Sequence, residues 1–137
     1  MQQNRRVSGG PLVKILCVDD EPATVSLRRE MLEKVGYAVT PCFSVEHALS
    51  ELRTASYDAV ITDWRLGRDS GRAVILAAKA HASMPVVVVS GYVGEAFQAA
   101  EPLADIYLEK PADSRELLQI LRILLETRTN TAPRSDS

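Results

Sequence analysis

The chain has no long hydrophobic run, few cysteines and no excess of charge of either sign. No apolar segment approaches the roughly 20 residues that a membrane helix needs, and residues 1–10 are polar, without the hydrophobic region of a signal peptide. We therefore expect a cytoplasmic protein without membrane contact. The 16 basic and 18 acidic residues give a formal net charge of -2, and the basic residues form no stripe that could follow a phosphate backbone. This pattern argues against direct nucleic-acid binding.

The cysteines are too few and too apolar in their surroundings for a disulfide framework. Cys17 and Cys42 each lie inside an apolar segment, which favours free buried thiols over a disulfide. Their spacing matches no metal-binding motif. A chain of 137 residues is long enough to bury a core without such cross-links, and it has room for one domain.

Short apolar runs alternate five times with longer amphipathic segments, a pattern typical of βα repeats and a mostly parallel sheet. The runs at 12–18 and 85–89 show little polar alternation, as in central strands covered on both faces. We predict strands at Leu12–Val18, Tyr37–Cys42, Ala59–Thr62, Pro85–Val89 and Asp105–Leu108. Helices are predicted at Ala23–Val35, Val45–Thr54, Gly71–His81, Gly94–Ala100 and Ser114–Thr127. The folded domain should span residues 11–127, between flexible tails at residues 1–10 and 128–137.

Polar residues end four of the predicted strands, at the edge of the sheet where open α/β folds bind ligands. They are Asp19 and Asp20 after the first strand, Asp63 after the third, Ser90 after the fourth, and Lys110 with Pro111 after the fifth. Three converging carboxylates repel one another unless a cation neutralises them. Mg²⁺ prefers such oxygen ligands, and with Lys110 it would balance the three negative charges.

Asp63 is the candidate nucleophile of this site. A carboxylate can attack phosphorus to form an aspartyl phosphate, and Asp63 lies between the acidic pair and the Ser90 and Lys110 pair in the predicted order of strand ends. The loop WRLGRDSG that follows it is rich in small and flexible residues, which suits close approach of backbone to a metal or phosphate. The sequence therefore predicts a phosphoryl-accepting site.

This ordered set of strand-end residues resembles the receiver (CheY-like) family of response regulators, over nearly all of the predicted domain. The resemblance implies a doubly wound, flavodoxin-like α/β fold with a five-stranded parallel sheet in the order 2-1-3-4-5 and five helices. It implies that Asp63 is the phosphoacceptor and that Asp20 and Asp63 ligate Mg²⁺ directly. Asp19 would act through the water shell of the ion, and the backbone carbonyl of Arg65 would be a further ligand.

The resemblance also assigns roles around the phosphoryl group. Ser90 and Lys110 would bind it, the Lys110–Pro111 peptide bond would be cis, and Tyr107 would be a switch aromatic that moves inward with Ser90. It implies a histidine kinase or histidine phosphotransfer protein as phosphodonor. The downstream protein target would dock on the face formed by the predicted fourth helix, fifth strand and fifth helix. Such domains show slow self-phosphorylation and self-dephosphorylation without being metabolic enzymes.

Four positions modify this picture. Gly67 stands where the family often has a proline, which predicts a more flexible loop after Asp63, and Ala112 stands where an aromatic often follows the Lys-Pro pair. Arg65 and Tyr92 lie two residues after Asp63 and Ser90. We hypothesise that these two side chains form a partial lid, which sets the lifetime of the phosphoryl group by controlling access of water.

Other functions remain open on the sequence. A receiver-like module could signal by protein binding without phosphorylation, although its acidic site would then be expected to be degraded. A phosphatase with an aspartyl intermediate would need a D-x-D motif, which Asp19-Asp20-Glu21 lacks, and a flavin-binding relative would need a Ser/Thr-rich phosphate loop there. The acidic pair could also merely favour the start of the first helix. His47 and His81 have no supporting pattern and are read as surface residues.

The last predicted helix is more apolar than one core-facing stripe requires. Its apolar residues are Leu117, Leu118, Ile120, Leu121, Ile123, Leu124 and Leu125. Two interpretations stay open: neighbouring helices cover all of them, or Leu118 and Leu125 belong to a homodimer or partner interface.

Overall fold

A computed structural model describes residues 12–80, 84–91 and 103–135 of the chain. Its main sheet has five parallel strands, β1 (Lys14–Val18), β2 (Ala38–Cys42), β3 (Ala59–Thr62), β6 (Val86–Ser90) and β7 (Ile106–Glu109). Their spatial order is β2-β1-β3-β6-β7, which confirms the predicted order 2-1-3-4-5 and the flavodoxin-like fold. A two-stranded antiparallel hairpin, β4 (Arg65–Leu66) and β5 (Asp69–Ser70), follows β3.

Four helices lie among the described residues: α1 (Pro22–Lys34), α2 (Val45–Thr54), α3 (Arg72–Lys79) and α4 (Ser114–Ser135). Pro22 begins α1, where its missing N–H needs no partner, and Gly36 with φ 101° follows its end. The Ser44 side chain caps α2 by accepting a hydrogen bond from the His47 backbone N–H at 3.1 Å. The predicted helix at Gly94–Ala100 lies outside the described residues. None of the helices described is both long and apolar enough to cross a membrane.

The element bounds differ from the predicted ones mainly at the ends. The first strand begins at Lys14 rather than Leu12, and most other strand and helix ends move by one or two residues. The predicted end of the last helix at Thr127 is wrong, since α4 continues to Ser135. That prediction followed the end of the apolar periodicity, which reports where the helix contacts a core and does not determine where the backbone stops being helical.

Both faces of the sheet are covered, and each face has its own apolar cluster. On one face, side chains of β1, β3 and β6 pack with α2 and α3; on the other, side chains of the same strands pack with α1 and α4. Cys17 faces the α1 and α4 side and Cys42 the α2 and α3 side, and both are free thiols. This two-sided burial explains the continuous apolar character of the central strands.

Most of the apolar side chains of the last helix pack against the core. Leu117 and Leu121 are fully buried, whereas Leu118 and Leu125 are half-buried and pack against the α1 and α4 cluster. Ile123 is the side chain left in solvent, with 54% of its surface exposed. Neighbouring elements thus cover part of the surface of Leu118 and Leu125 and leave Ile123 to solvent.

Candidate functional site

The carboxyl ends of the parallel strands bring the predicted site residues to one edge of the sheet. Asp19 and Asp20 follow β1, Asp63 follows β3, Ser90 ends β6 and Lys110 follows β7. These four strands are consecutive neighbours in the sheet. The backbone continues the pairing just beyond the strands, since the Asp63 N–H donates to the Val18 carbonyl at 3.0 Å and the Lys110 N–H to the Ser90 carbonyl at 3.0 Å.

Three carboxylates form the centre of the site. Asp19, Asp20 and Asp63 each offer an oxygen, and these oxygens lie within 4.8 Å of one another. Asp19 and Asp63 are buried, at 1% and 7% exposure, whereas Asp20 is exposed. A cluster of hard oxygen donors with one open side is the donor set that Mg²⁺ prefers in proteins. The residues present therefore fit a magnesium ion.

Lys110 supplies a positive charge directly against the two buried carboxylates. Its Nζ donates to Asp19 Oδ2 at 3.0 Å and to Asp63 Oδ2 at 2.9 Å. Burial by itself lowers the pKa of Lys110, but the hydrogen bonds to Asp63 and Asp19 and their charges outweigh it, so that the pKa is raised overall. The ammonium is therefore charged at neutral pH.

Backbone N–H groups fix the orientation of each carboxylate. Asp19 Oδ1 accepts from the Glu21 N–H at 3.1 Å, and Asp63 Oδ1 accepts from the Trp64 N–H at 2.6 Å. Asp20 Oδ2 accepts from the Gly67 N–H at 2.9 Å, across the gap between the first strand and the hairpin. The orientation of the three carboxylates is thus set by the chain's own backbone.

The hairpin gives the loop after Asp63 a defined path. Gly67 turns the chain at φ 65°, in the left-handed region that glycine adopts easily, and Arg65 pairs with Ser70 across it. The sequence predicts a flexible loop here, but the Gly67 N–H is held by Asp20. The Arg65 side chain is exposed, and Tyr92, the other half of the hypothesised lid, lies outside the described residues.

Gly71 is needed for space rather than for its backbone conformation. Its φ is an ordinary -66°, but a Cβ at this position would lie 2.3 Å from the Asp63 carbonyl oxygen. The Gly71 N–H also donates to the Trp64 carbonyl at 2.6 Å. The start of α3 therefore packs directly on the backbone of the candidate nucleophile.

Ser90 and Tyr107 occupy adjacent strands. Ser90 is fully buried at the end of β6, and Tyr107 on β7 pairs with Val88 and is half-buried against the α2 and α3 cluster. Burial raises the pKa of Tyr107, against a smaller lowering by a hydrogen bond with the Ala104 backbone. The Lys110–Pro111 peptide bond is cis.

One charged residue of this region was not found from the sequence. Arg28 on α1 is only 9% exposed, and its Nη1 lies 3.6 Å from Asp19 Oδ2. The signal was present in the spacing, because Val25, Arg28 and Leu32 form the buried stripe of α1 at intervals of three and four residues. Of the two histidines, His47 is exposed on α2, and His81 lies outside the described residues.

A groove of about 750 Å³ borders the site between α1 and the beginning of α4. Its lining includes Arg28 and Lys110 together with the apolar side chains of Leu27, Met31 and Leu117. The groove therefore reaches the two cations of the site from the side opposite to the α2 and α3 face.

Comparison with known proteins agrees with this arrangement. Residues 15–122 match the family model of the response regulator receiver domain. The chain is 31% identical over 134 residues to the regulatory protein VirG of Agrobacterium tumefaciens, covering 96% of this chain and 50% of VirG. It thus spans about half the length of that relative.

Solved structures give the same result. A CheY-like receiver domain protein from Methanospirillum hungatei JF-1 superposes with a TM-score of 0.81 at 25% identity, covering 88% of this chain and 99% of the other. A response regulator receiver protein from Sinorhizobium medicae WSM419 gives a TM-score of 0.78 at 31% identity, covering 85% and 97%. The chain therefore belongs to the response regulator receiver domain family of two-component signalling.

Proposed function

We propose that this domain accepts a phosphoryl group on Asp63, with Mg²⁺, from a phosphohistidine of a histidine kinase or a histidine phosphotransfer protein. The observation that carries the proposal is the position of the Asp63 carboxylate, 2.9 Å from the Lys110 ammonium and within the cluster formed with Asp19 and Asp20. A nucleophilic carboxylate between a metal-binding acidic pair and a fixed ammonium suits attack on an anionic phosphoryl donor.

The proposed ligand set for Mg²⁺ comes from the acidic cluster and the hairpin. Asp20 and Asp63 would ligate the ion directly, Asp19 would act through its water shell, and the backbone carbonyl of Arg65 would be a further ligand. When bound, Mg²⁺ offsets negative charge on the phosphoryl oxygens during transfer. The exposed side of Asp20 leaves the acidic cluster open to solvent, from which an ion and a donor can enter.

The proposed transfer is a single displacement at phosphorus. A carboxylate oxygen of Asp63 forms the new P–O bond while the P–N bond of the donor phosphohistidine breaks, and the electron pair of that bond stays on the imidazole nitrogen. The product is an acyl phosphate that carries more negative charge than the carboxylate it replaces. Lys110 would hold this charge as an ion pair, and the Ser90 hydroxyl would donate a hydrogen bond to it.

Loss of the phosphoryl group would follow by attack of water on the acyl phosphate, and this slow reaction gives the domain its catalytic character. We propose that Arg65 and Tyr92, which follow Asp63 and Ser90 by two residues in the sequence, slow that attack as a partial lid. Comparing phosphoform half-lives of the wild type and Arg65→Ala tests the lid, with a shorter half-life expected for the variant. Equal half-lives would remove the idea.

We propose that the output is carried by protein docking. Tyr107 would move inward as Ser90 turns towards the phosphoryl group and so change the face of β7, α4 and the predicted fourth helix. A downstream protein, or a second copy of this chain, would bind that face. Among the side chains of α4 that the structure describes, Ile123 is apolar and exposed. The working unit would be residues 11–127, acting in the cytoplasm.

The acceptor is tested by incubation with acetyl phosphate and Mg²⁺, followed by intact-mass measurement. The wild type should gain one phosphoryl group, and Asp63→Asn should gain none because the amide is not a nucleophile. Asp69→Asn is the matched control, since Asp69 is an exposed hairpin residue and the change removes the same charge. A phosphoryl gain in Asp63→Asn, or none in the wild type, would contradict the proposal.

A further inference from the structure

The buried face of α1 contains a cation. Among the described residues, the buried side chains of this helix are Val25, Arg28 and Leu32. Arg28 occupies a place that the helical stripe would normally give to an apolar residue. Burial of a guanidinium costs free energy unless an opposite charge compensates it, and arginine is seldom fully buried unless paired. A buried Arg28 should therefore have an opposite charge close to its guanidinium.

The opposite charge is that of the acidic cluster formed by Asp19, Asp20 and Asp63. Nη1 of Arg28 lies 3.6 Å from Asp19 Oδ2, the same oxygen that accepts the hydrogen bond from Lys110 at 3.0 Å. Nη1 is fully buried and has no hydrogen-bond partner within the part of the chain that the structure describes. Its relation to Asp19 is thus an ion pair without a hydrogen bond, so the guanidinium contributes charge to the cluster more than it contributes hydrogen-bond geometry.

Counting formal charges shows what this cation changes. Asp19, Asp20 and Asp63 contribute minus three, and Lys110 with Arg28 contributes plus two, which leaves minus one. A divalent ion then brings the cluster to plus one, whereas without Arg28 it would reach zero. Replacement of the Asp63 charge by the two negative charges of a phosphoryl group lowers either total by one. The cluster with Arg28 is therefore neutral when the ion and the phosphoryl group are both present.

We infer that Arg28 is a positioning residue that acts through Asp19 and lowers the affinity of the unphosphorylated site for Mg²⁺. This inference rests on the proposed function, because it assumes that the acidic cluster binds that ion. The guanidinium offsets part of the negative charge of Asp19, so the cluster attracts the ion less strongly. The phosphorylated site, which carries one more negative charge, should therefore bind the ion more tightly than the unphosphorylated site.

The test is a Mg²⁺ titration of the full chain at fixed ionic strength by calorimetry. Tryptophan fluorescence is a second readout, since the chain has one tryptophan, Trp64, adjacent to Asp63. Arg28→Met should bind Mg²⁺ about tenfold more tightly than wild type, because one positive charge beside the cluster is lost. Arg28→Lys should stay within about threefold of wild type, because it keeps the charge. Arg28→Gln, neutral but polar, should behave like Arg28→Met and serves if the methionine variant does not fold.

The matched control is Arg29→Met, which removes the same charge from the next residue of α1. Arg29 is exposed and pairs with Glu33 at 3.0 Å, so its loss should change the Mg²⁺ affinity less than about twofold. Equal affinities of Arg28→Met and Arg29→Met would overturn the inference, as would equally tight binding by Arg28→Lys and Arg28→Met. Phosphorylation by acetyl phosphate is measured on the same samples. If it fails in all variants while the affinities differ as expected, the proposed function falls and the role of Arg28 stands; if no variant binds Mg²⁺, both fall.

Discussion

Gly71→Ala should damage both the stability and the chemistry of this domain. The added Cβ would lie 2.3 Å from the Asp63 carbonyl oxygen and 3.4 Å from the Trp64 Cα. Ordinary carbon–oxygen contact needs about 3.3 Å or more, so the two backbones must separate by about 1 Å. Since both contact atoms belong to backbone, no side chain can rotate away to relieve the clash.

The expected cost follows from overpacking. Forcing one extra carbon into a packed site costs about 1–3 kcal/mol, and the separation also weakens the 2.6 Å hydrogen bond from Gly71 to Trp64. A loss of about 2 kcal/mol lowers the melting temperature of a domain of this size by roughly 6–8 °C. Displacement of the Asp63 backbone also moves its carboxylate relative to Lys110, and a misplacement of about 1 Å can cost 10²-fold in rate. We expect phosphorylation by acetyl phosphate to slow at least about tenfold.

Gly91→Ala is the control, because a Cβ there meets no atom within 4 Å of the described structure and its φ is outside the left-handed region. Thermal unfolding and a time course of intact mass with acetyl phosphate are measured for both variants. Gly91→Ala should stay close to wild type in melting temperature. If Gly71→Ala matches Gly91→Ala in both measurements, the close approach of α3 to Asp63 has no consequence and the reasoning is wrong.

Three further predictions concern pH, packing and charge. Burial raises the pKa of both Cys42 and Tyr57 to about 12; the unfolded chain releases these protons at lower pH, so stability should fall as the pH rises from about 8.5 to 12. Urea midpoints should be lower at pH 10.5 than at pH 8, less so in Tyr57→Phe, and equal midpoints would contradict this. Leu121→Ala should cost about 2–5 kcal/mol in urea unfolding, whereas Ile123→Ala should stay within about 0.5 kcal/mol, since the first side chain is fully buried and the second is 54% exposed. Lys110→Met should lower the free energy of unfolding by about 1–3 kcal/mol in metal-free buffer, because it leaves two carboxylates without their ammonium donor. Added Mg²⁺ should restore most of this stability. A loss of stability that Mg²⁺ does not change would refute the charge argument.

The parts of the fold that depend on chain pattern could be predicted from the sequence. The strand Ala59–Thr62 and the helix Val45–Thr54 have the predicted bounds, because a β-branched run and a serine N-cap mark their ends in the residues themselves. The strand order also followed once the strand-end residues were matched to a known family. Helix α4 ran past its predicted end at Thr127, because apolar periodicity reports which residues touch a core and not where a backbone stops being helical.

The candidate site could be predicted as a set of residues but not as a balance of charges. Asp19, Asp63 and Lys110 were found because strand ends converge by topology, and the structure brings them within hydrogen-bond distance. Arg28 was missed because α1 was predicted only as a helix that covers the sheet. The charged residues on the buried side of that helix were not considered. Which side chain of a neighbouring element a residue contacts depends on how the two elements pack. The spacing of residues along one helix does not give that contact.

The hairpin after β3 has a consequence for how this domain can vary. Gly67 reaches Asp20 through a main-chain N–H, so this hydrogen bond depends on the number of residues in the turn and on a left-handed glycine. The side chains of Arg65 and Arg68 on the same hairpin are exposed. Because the bond is made by the main chain, substitution of an exposed side chain of the hairpin should leave the Gly67 N–H on Asp20. An insertion or deletion of one residue between Asp63 and Gly71 would instead move that N–H away from the acidic pair. Natural variants and designed libraries of this loop should tolerate changes at its exposed positions other than Gly67, keep Gly67 and Gly71, and reject changes of length.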